Sequence, residues 1–172
     1  MGSVRFISDL HLGHKQILKF CPNRGGTDIQ SHSEWIVHQW NSVVKKNDYV
    51  WVLGDIAFDG DHLHYLNQLR GQKVMLWGNH DKFSLPTYQK YFHLVYGFRK
   101  KYGYWLSHAP VHPQELRGKP NIHGHLHQHL VMGSAGEHPK LPDPRYVNVA
   151  VDQCDGKPIS LDDINLRFGR KK

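Results

Sequence analysis

Short apolar runs alternate with amphipathic stretches along the whole chain. Strand-like runs cover Val4–Ser8, Tyr49–Leu53, Val74–Trp77, Tyr104–Ser107, Asn121–His123, Tyr146–Val151 and Ile164–Phe168. Between them, Ser33–Val44 has helical spacing. Ile36, Val37, Trp40, Val43 and Val44 form one face there, and Ser31 with Glu34 reads as a capping box. A second helix is expected over Asp61–Arg70, with Leu63, Leu66 and Leu69 on one side and Gly71 as its stop, and a third over His14–Phe20. Irregular stretches rich in Gly and Pro fall at Pro22–Asp28, His108–Pro120 and Gly133–Pro144. No repeat or linker interrupts the pattern. It predicts one α/β domain over residues 1–172, built from mixed β-sheet layers flanked by helices.

The apolar runs share an ending. Phe6-Ile7-Ser8 runs into Asp9, Val52-Leu53-Gly54 into Asp55, Leu76-Trp77-Gly78 into Asn79, and Trp105-Leu106-Ser107 into His108. Open α/β sheets gather ligands beyond the carboxyl ends of their strands, so these residues are expected to converge.

Composition narrows the class. A hydrophobic fraction of 39% and a charged fraction of 22% describe a globular protein. No apolar run approaches the roughly 18 residues of a membrane span, and no membrane partner is expected. The start lacks a secretory core, and Phe6 stands where a myristoylation signal needs Ser or Thr, so a cytoplasmic protein is expected. Two cysteines, Cys21 and Cys154, are too few for a disulfide framework and read as reduced thiols. The net charge of +7 suits an anionic substrate, although a solvated basic surface and the tail Arg167, Arg170, Lys171, Lys172 would also produce it. Fifteen histidines, many clustered with carboxylates, point to metal binding.

Taken singly, most of the motifs are weak. Asp9-Leu10-His11 places an oxygen and an imidazole on one side of an extended chain, but a surface turn could read the same. Gly54-Asp55 is usually a turn, and a lone His108 at a strand end is usually structural. Gly78-Asn79-His80-Asp81 is stronger: Asn79 offers a neutral oxygen, His80 can face substrate, and Asp81 can hold the other imidazole nitrogen. His123-Gly124-His125-Leu126-His127 presents alternating imidazoles from one loop. A metallo-β-lactamase-like motif would need an aspartate that is missing.

Together and in order, these motifs resemble the calcineurin-like metallophosphoesterase superfamily, with its D-x-H, G-D, G-N-H-D, H and G-H-x-H series. The match is to the small, cap-less type of bacteria and phages, which also shows D-x-H-x-G-H, here Asp9 to His14. Such members end in a segment like Asn148-Val149-Ala150-Val151-Asp152 followed by Lys157-Pro158-Ile159-Ser160-Leu161. The resemblance implies an αββα sandwich and a dinuclear centre. Asp9, His11, Asp55 and His127 would hold one metal, and Asp55, Asn79, His108 and His125 the other, with Asp55 bridging. It also implies catalysis by His80, oriented by Asp81, and a metal-bridging hydroxide as nucleophile. His14, His123 and His129 receive no ligand role. A donor set without thiolate favours manganese, with iron, zinc or nickel as alternatives.

The expected activity is therefore metal-dependent hydrolysis of phosphate esters, phosphodiesters first. The rim residues Arg24, Lys82, Lys90, Arg117, Lys119, Lys140 and Arg145, with Tyr88, Tyr91, Phe92 and Tyr146, suit nucleotides or single-stranded nucleic acid. A nuclease or a phosphoprotein phosphatase is the alternative within enzymes, and a metal-binding scaffold of the same fold the alternative outside them. An all-helical HD-type hydrolase, suggested by His80-Asp81, conflicts with the strand-rich pattern.

Overall fold

The computed structural model describes residues 2–133 and 141–170. Lys140, Lys171, Lys172 and most of the irregular stretch Gly133–Pro144 thus lie outside the described residues. Two mixed sheets face each other. The first has the order β4-β3-β2-β1-β9, with β1 Val4–Ile7, β2 Tyr49–Val52, β3 Gln72–Leu76 and β4 Leu94–Tyr96 parallel, and β9 Ile159–Ser160 antiparallel to β1. The second has the order β5-β6-β7-β8. Here β5 Arg99–Lys101 runs antiparallel to β6 Tyr104–Leu106, while β7 Asn121–His123 and β8 Tyr146–Asn148 run parallel to β6.

The central strands are apolar on both faces because both faces are covered. Phe6, Trp51, Leu53, Val74 and Leu76 pack with Tyr104, Leu106, Ile122 and Val147 between the sheets. On the other side, Ile7, Val50, Val52 and Met75 meet Ile36 and Trp40 of α2 (Ile29–Val43) and Leu63 and Leu66 of a 3-10 helix, Gly60–Asn67. The Trp40 indole N–H donates to Arg70 O at 2.9 Å, tying α2 to the end of the segment after the 3-10 helix. Beside the second sheet, Leu116 is buried and its carbonyl accepts from Trp105 Nε1 at 2.9 Å. The remaining helices are single short segments: α1 Ile17–Phe20, α3 Leu85–Tyr88, α4 Val151–Cys154 and α5 Leu161–Arg167. Among the described residues no helix is long and apolar enough to cross a membrane.

The expected α/β layering is present, and several local expectations change. Helix α2 starts at Ile29, capped by Asp28 and Ser31: Ser31 N donates to Asp28 Oδ1 at 2.8 Å and Asp28 N to Ser31 Oγ at 3.1 Å. Glu34 instead accepts from Gln30 at 3.1 Å, so it closes no capping box with Ser31. The expected strand Ile164–Phe168 is helix α5. Ser160 caps it by accepting from Asp163 N at 3.1 Å, and Asp162 and Asp163 in its first turn suit the helix dipole. The expected strand Tyr146–Val151 stops at Asn148, whose Oδ1 accepts from Ala150 N at 2.9 Å and turns the chain into α4. Strands β4, β5 and β9 were not foreseen: β5 has no apolar residue, and β9 is two residues long.

Ile164 is the fully buried side chain of α5 in the intersheet core, whereas Leu166 is 65% exposed. Ile164→Ala should therefore cost about 2–5 kcal/mol in urea unfolding, while Leu166→Ala should stay within about 0.5 kcal/mol.

Candidate metal centre

Strands β1, β2 and β3 are parallel and in register, so their carboxyl ends lie side by side. Asp9, Asp55 and Asn79 leave from that edge. His108 and His125 follow β6 and β7 of the facing sheet, so both sheets contribute to one cleft. Backbone bonds from Asp9 N to Gly54 O (3.0 Å) and His11 N to Asp55 O (3.0 Å) bind the first two loops together.

Close approach is possible because of small residues. A Cβ on Gly54 would lie 2.7 Å from Gly78 Cα and from His108 Nδ1, and one on Gly124 would run into Ser8 Oγ and Asp9 Oδ2. Asp9, His11, Asp55, His125 and His127 all hold positive φ, from 50° to 68°, a conformation costly to side chains of this size.

Two groups of donors form. Asp9, His11 and His127 are one, and Asp55, His108 and His125 the other, each with ligand atoms within 4.8 Å of one another, so each could hold a metal ion. Asp55 Oδ2 lies 3.6 Å from His11 Nε2 and 3.4 Å from His108 Nε2, and thus faces both groups. Asn79 Oδ1 is 2.8 Å from His108 Nε2, which is 3.2 Å from His125 Nδ1. Asp9 Oδ1 stands 3.8 Å from His11 Nε2 and 3.9 Å from His127 Nε2. Asp9 Oδ1 and both His11 ring nitrogens are buried without a hydrogen-bond partner among the described residues. Buried polar atoms left in this state are costly, and cations would satisfy them. The donor set of carboxylate, imidazole and amide oxygen fits such ions.

The electrostatics agree. Burial raises Asp9, but the close His11 ring and the nearby His108 and His127 rings outweigh it and bring the carboxyl down to about 2. Burial lowers His11. For His108 burial also lowers, but the Asp55 hydrogen bond and the Asp9 and Asp55 charges leave it raised. His14, stacked on Phe58 at 4.0 Å, is brought down to about 4 by burial and then by the charge of His11.

Outer contacts fix the imidazoles. His108 Nδ1 lies 2.7 Å from Leu53 O, which makes it the protonated nitrogen and leaves Nε2 to the cleft. His127 Nδ1 is 3.0 Å from Asp152 Oδ2, and Asp152 receives Arg24 through Nε (3.0 Å) and Nη2 (2.7 Å). The thiol Cys21, with His127 and Asp152, forms a third donor cluster, but Arg24 Nη2 lies 3.3 Å from His127 Nδ1 and supplies the positive charge there. The sequence reading placed Arg24 on the substrate rim and gave Asp152 no site role. Some 128 positions separate them, so no local spacing signals the pair.

Asp81 requires a correction. Its Oδ2 accepts Gly78 N (2.8 Å) and Asp55 N (3.0 Å), and its Oδ1 accepts Ile56 N (2.9 Å) and Tyr88 OH (3.0 Å). Those donors occupy the carboxylate, so Asp81 positions the loops rather than the His80 ring. The His80 side chain is exposed beside Phe58 (5.0 Å) and His11 (6.0 Å), and its backbone N–H donates to Asp55 Oδ1 at 2.9 Å. Several rim assignments also move: Arg24 is buried against Asp152, and Tyr88 and Phe92 are core residues. Arg145 and Arg117 pair with Asp143 and Glu115. His123 is buried, its Nδ1 2.8 Å from Gly124 O.

No protein-family model matches the chain. It is 32% identical over 169 residues to the uncharacterized protein MJ1445 of Methanocaldococcus jannaschii, covering 94% of this chain and 89% of that one. It is 29% identical over 201 residues to the gene 66 protein of Mycobacterium phage L5, covering 95% and 93%. Among solved structures, a protein of unknown function from Aquifex aeolicus, AQ665, superposes with a TM-score of 0.71 at 25% identity, covering 96% and 99% of the two chains.

Burial raises Asp152, but the His127 and Arg24 hydrogen bonds prevail and hold its carboxyl far below the usual range. The ion pair should therefore stabilise the fold above the ordinary carboxylate value, about 4, and that contribution should fade as pH falls below it. Asp152→Asn leaves Arg24 buried and unpaired, a loss on the order of 3–5 kcal/mol at pH 7. Urea titrations should show the gap from wild type narrowing below about pH 4.

Proposed function

The chain belongs to the family of the uncharacterized protein MJ1445 of Methanocaldococcus jannaschii, and we propose that it is a two-metal phosphoesterase of the calcineurin-like type that hydrolyses phosphodiesters. The observation that carries this reading is the single oxygen, Asp55 Oδ2, facing His11 Nε2 at 3.6 Å and His108 Nε2 at 3.4 Å. A carboxylate so placed, between two groups of clustered donors, has the disposition of a bridging ligand.

In this reading Asp9, His11, Asp55 and His127 hold one ion, and Asp55, Asn79, His108 and His125 the other. Manganese is favoured, and iron, zinc or nickel satisfy the same donors. Two cations bound there would supply Lewis acidity toward phosphoryl oxygens and an activated water for in-line displacement. The two carboxylates leave that centre with net positive charge, which attracts a phosphate ester. His80 belongs to neither donor group and stands exposed beside them. It protonates the leaving oxygen, while its backbone N–H, fixed to Asp55 Oδ1, keeps the turn and the bridging carboxylate in step. Phe58, stacked between His11 (5.0 Å) and His14 (4.0 Å), excludes water from one side of the cleft.

Metal-stripped protein in excess chelator should be inactive on an aryl phosphodiester and recover on addition of manganese; full activity without metal would sink the reading. His80→Ala should keep two metals by elemental analysis yet lose about 10²–10⁴-fold in rate. The loss should be smaller for esters with a good leaving group. A variant that loses its metals would make His80 a ligand instead.

A further inference from the structure

The edge strand β5 has the sequence Arg99-Lys100-Lys101, and all three residues are exposed. None of them takes part in an ion pair among the described residues. Each cation lies over an aromatic ring: Arg99 over Tyr96 at 4.8 Å, Lys100 over Trp105 at 5.6 Å, and Lys101 over Tyr102 at 5.5 Å. Immediately before the strand, Phe98 is 51% exposed and stacks on Trp105 with centroids 5.0 Å apart and planes at 18°. Lysines on an edge strand also blunt edge-to-edge pairing. That role accounts for charge, but not for a large aromatic ring left half in water on top of a second one.

The strand also points at the cleft. Trp77 N donates to Tyr96 O at 2.8 Å, so Gly97 and Phe98 emerge beside the Gly78 turn. Arg99 pairs with Leu106, two residues before His108. With ~3.3 Å per residue and ~4.8 Å between strands, β5 begins about 8 Å from His108. From there it leads away from the cleft along the sheet edge, with Lys100 on the face of Phe98 and Trp105 and with Arg99 and Lys101, over Tyr96 and Tyr102, on the opposite face.

We propose that Phe98 and the edge strand β5 form a binding track for single-stranded nucleic acid, with a base stacking on Phe98, which Trp105 backs, and phosphates along the edge paired to Arg99, Lys100 and Lys101. Cations free of ion pairs beside an exposed aromatic ring are the pattern that grips a single strand without reading its sequence. A phosphorylated or acidic peptide would use the charges but leave the Phe98 ring without a flat partner. The track takes its substrate role from the phosphodiesterase reading above, whereas its capacity to bind does not depend on it.

The test is fluorescence anisotropy with a fluorescein-labelled oligothymidylate of 15 nucleotides, in chelator so that no cleavage occurs. Wild type should bind, and the affinity should fall with salt. Lys100→Gln/Lys101→Gln should weaken binding and make the slope of log affinity against log salt shallower by about 1.4, at ~0.7 per phosphate contact. Lys45→Gln/Lys46→Gln, exposed lysines between α2 and β2, should change neither. Phe98→Ala should weaken binding at least about fivefold. All three variants should hydrolyse an aryl phosphodiester like wild type, and the two lysine-pair variants should keep their melting temperature. Absence of oligothymidylate binding, an equal effect from both lysine pairs, or an unaffected Phe98→Ala would overturn the track. Intact binding by the track in a protein that hydrolyses no phosphodiester with metal would instead overturn the phosphoesterase reading and leave the track standing.

Discussion

The Asp81 carboxylate is the constraint on which the cleft depends. It accepts backbone N–H groups from Gly78, Asp55 and Ile56, which belong to the loops after two neighbouring strands, and the hydroxyl of the fully buried Tyr88. Hydrogen bonds to a charged acceptor contribute about 1.5–3 kcal/mol each. They are what holds Gly54 against Gly78 at a distance no side chain would permit. With those loops locked, Asp55 has little freedom, and the His80 backbone N–H completes its fixation. The price in solvation is visible at Asp81 itself, whose carboxyl is pushed up by burial.

A second constraint is backbone strain. Asp9, His11, Asp55, His125 and His127 adopt the left-handed conformation that glycine would take without penalty. Glycine cannot serve there, because the side chains are the donors. The chain holds these conformations through surrounding bonds such as His125 N to Asp9 Oδ2 (2.9 Å) and Leu12 N to Ile56 O (3.0 Å). Strain concentrated at clustered donors, and offset by the scaffold around them, is the usual mark of a prearranged site.

Much of this was legible in the sequence, for a physical reason. Parallel strands buried on both faces must be written as apolar runs, and a site at their ends must follow those runs directly, so Asp9, Asp55, Asn79 and His108 announce themselves. What stayed hidden depends on contacts between distant positions. Arg24 and Asp152 look like any loop arginine and helix-end aspartate until the fold brings them to 2.7 Å. Asp81 looked like a partner for the histidine beside it, because adjacency in sequence suggests contact, while the carboxylate is drawn inward by three backbone N–H groups. Strand β5 was illegible because an edge strand has no obligation to be apolar. Helix α5 was misread because its apolar residues were weighed without its Ser160 cap.

Strand β1 sits between β2, which starts at Tyr49, and β9, which starts at Ile159. His127 leans on Asp152, and Ser8 bridges to Ala150. During synthesis, at about 5–20 residues per second, the earliest strand must therefore wait for some of the latest residues before its second edge is covered. Through that interval an apolar strand presents an open edge, and the donors beside it lack their far partners. The order in which the ribosome delivers the chain thus makes the cleft one of the last features to form, and a cation arriving early would find only half of it.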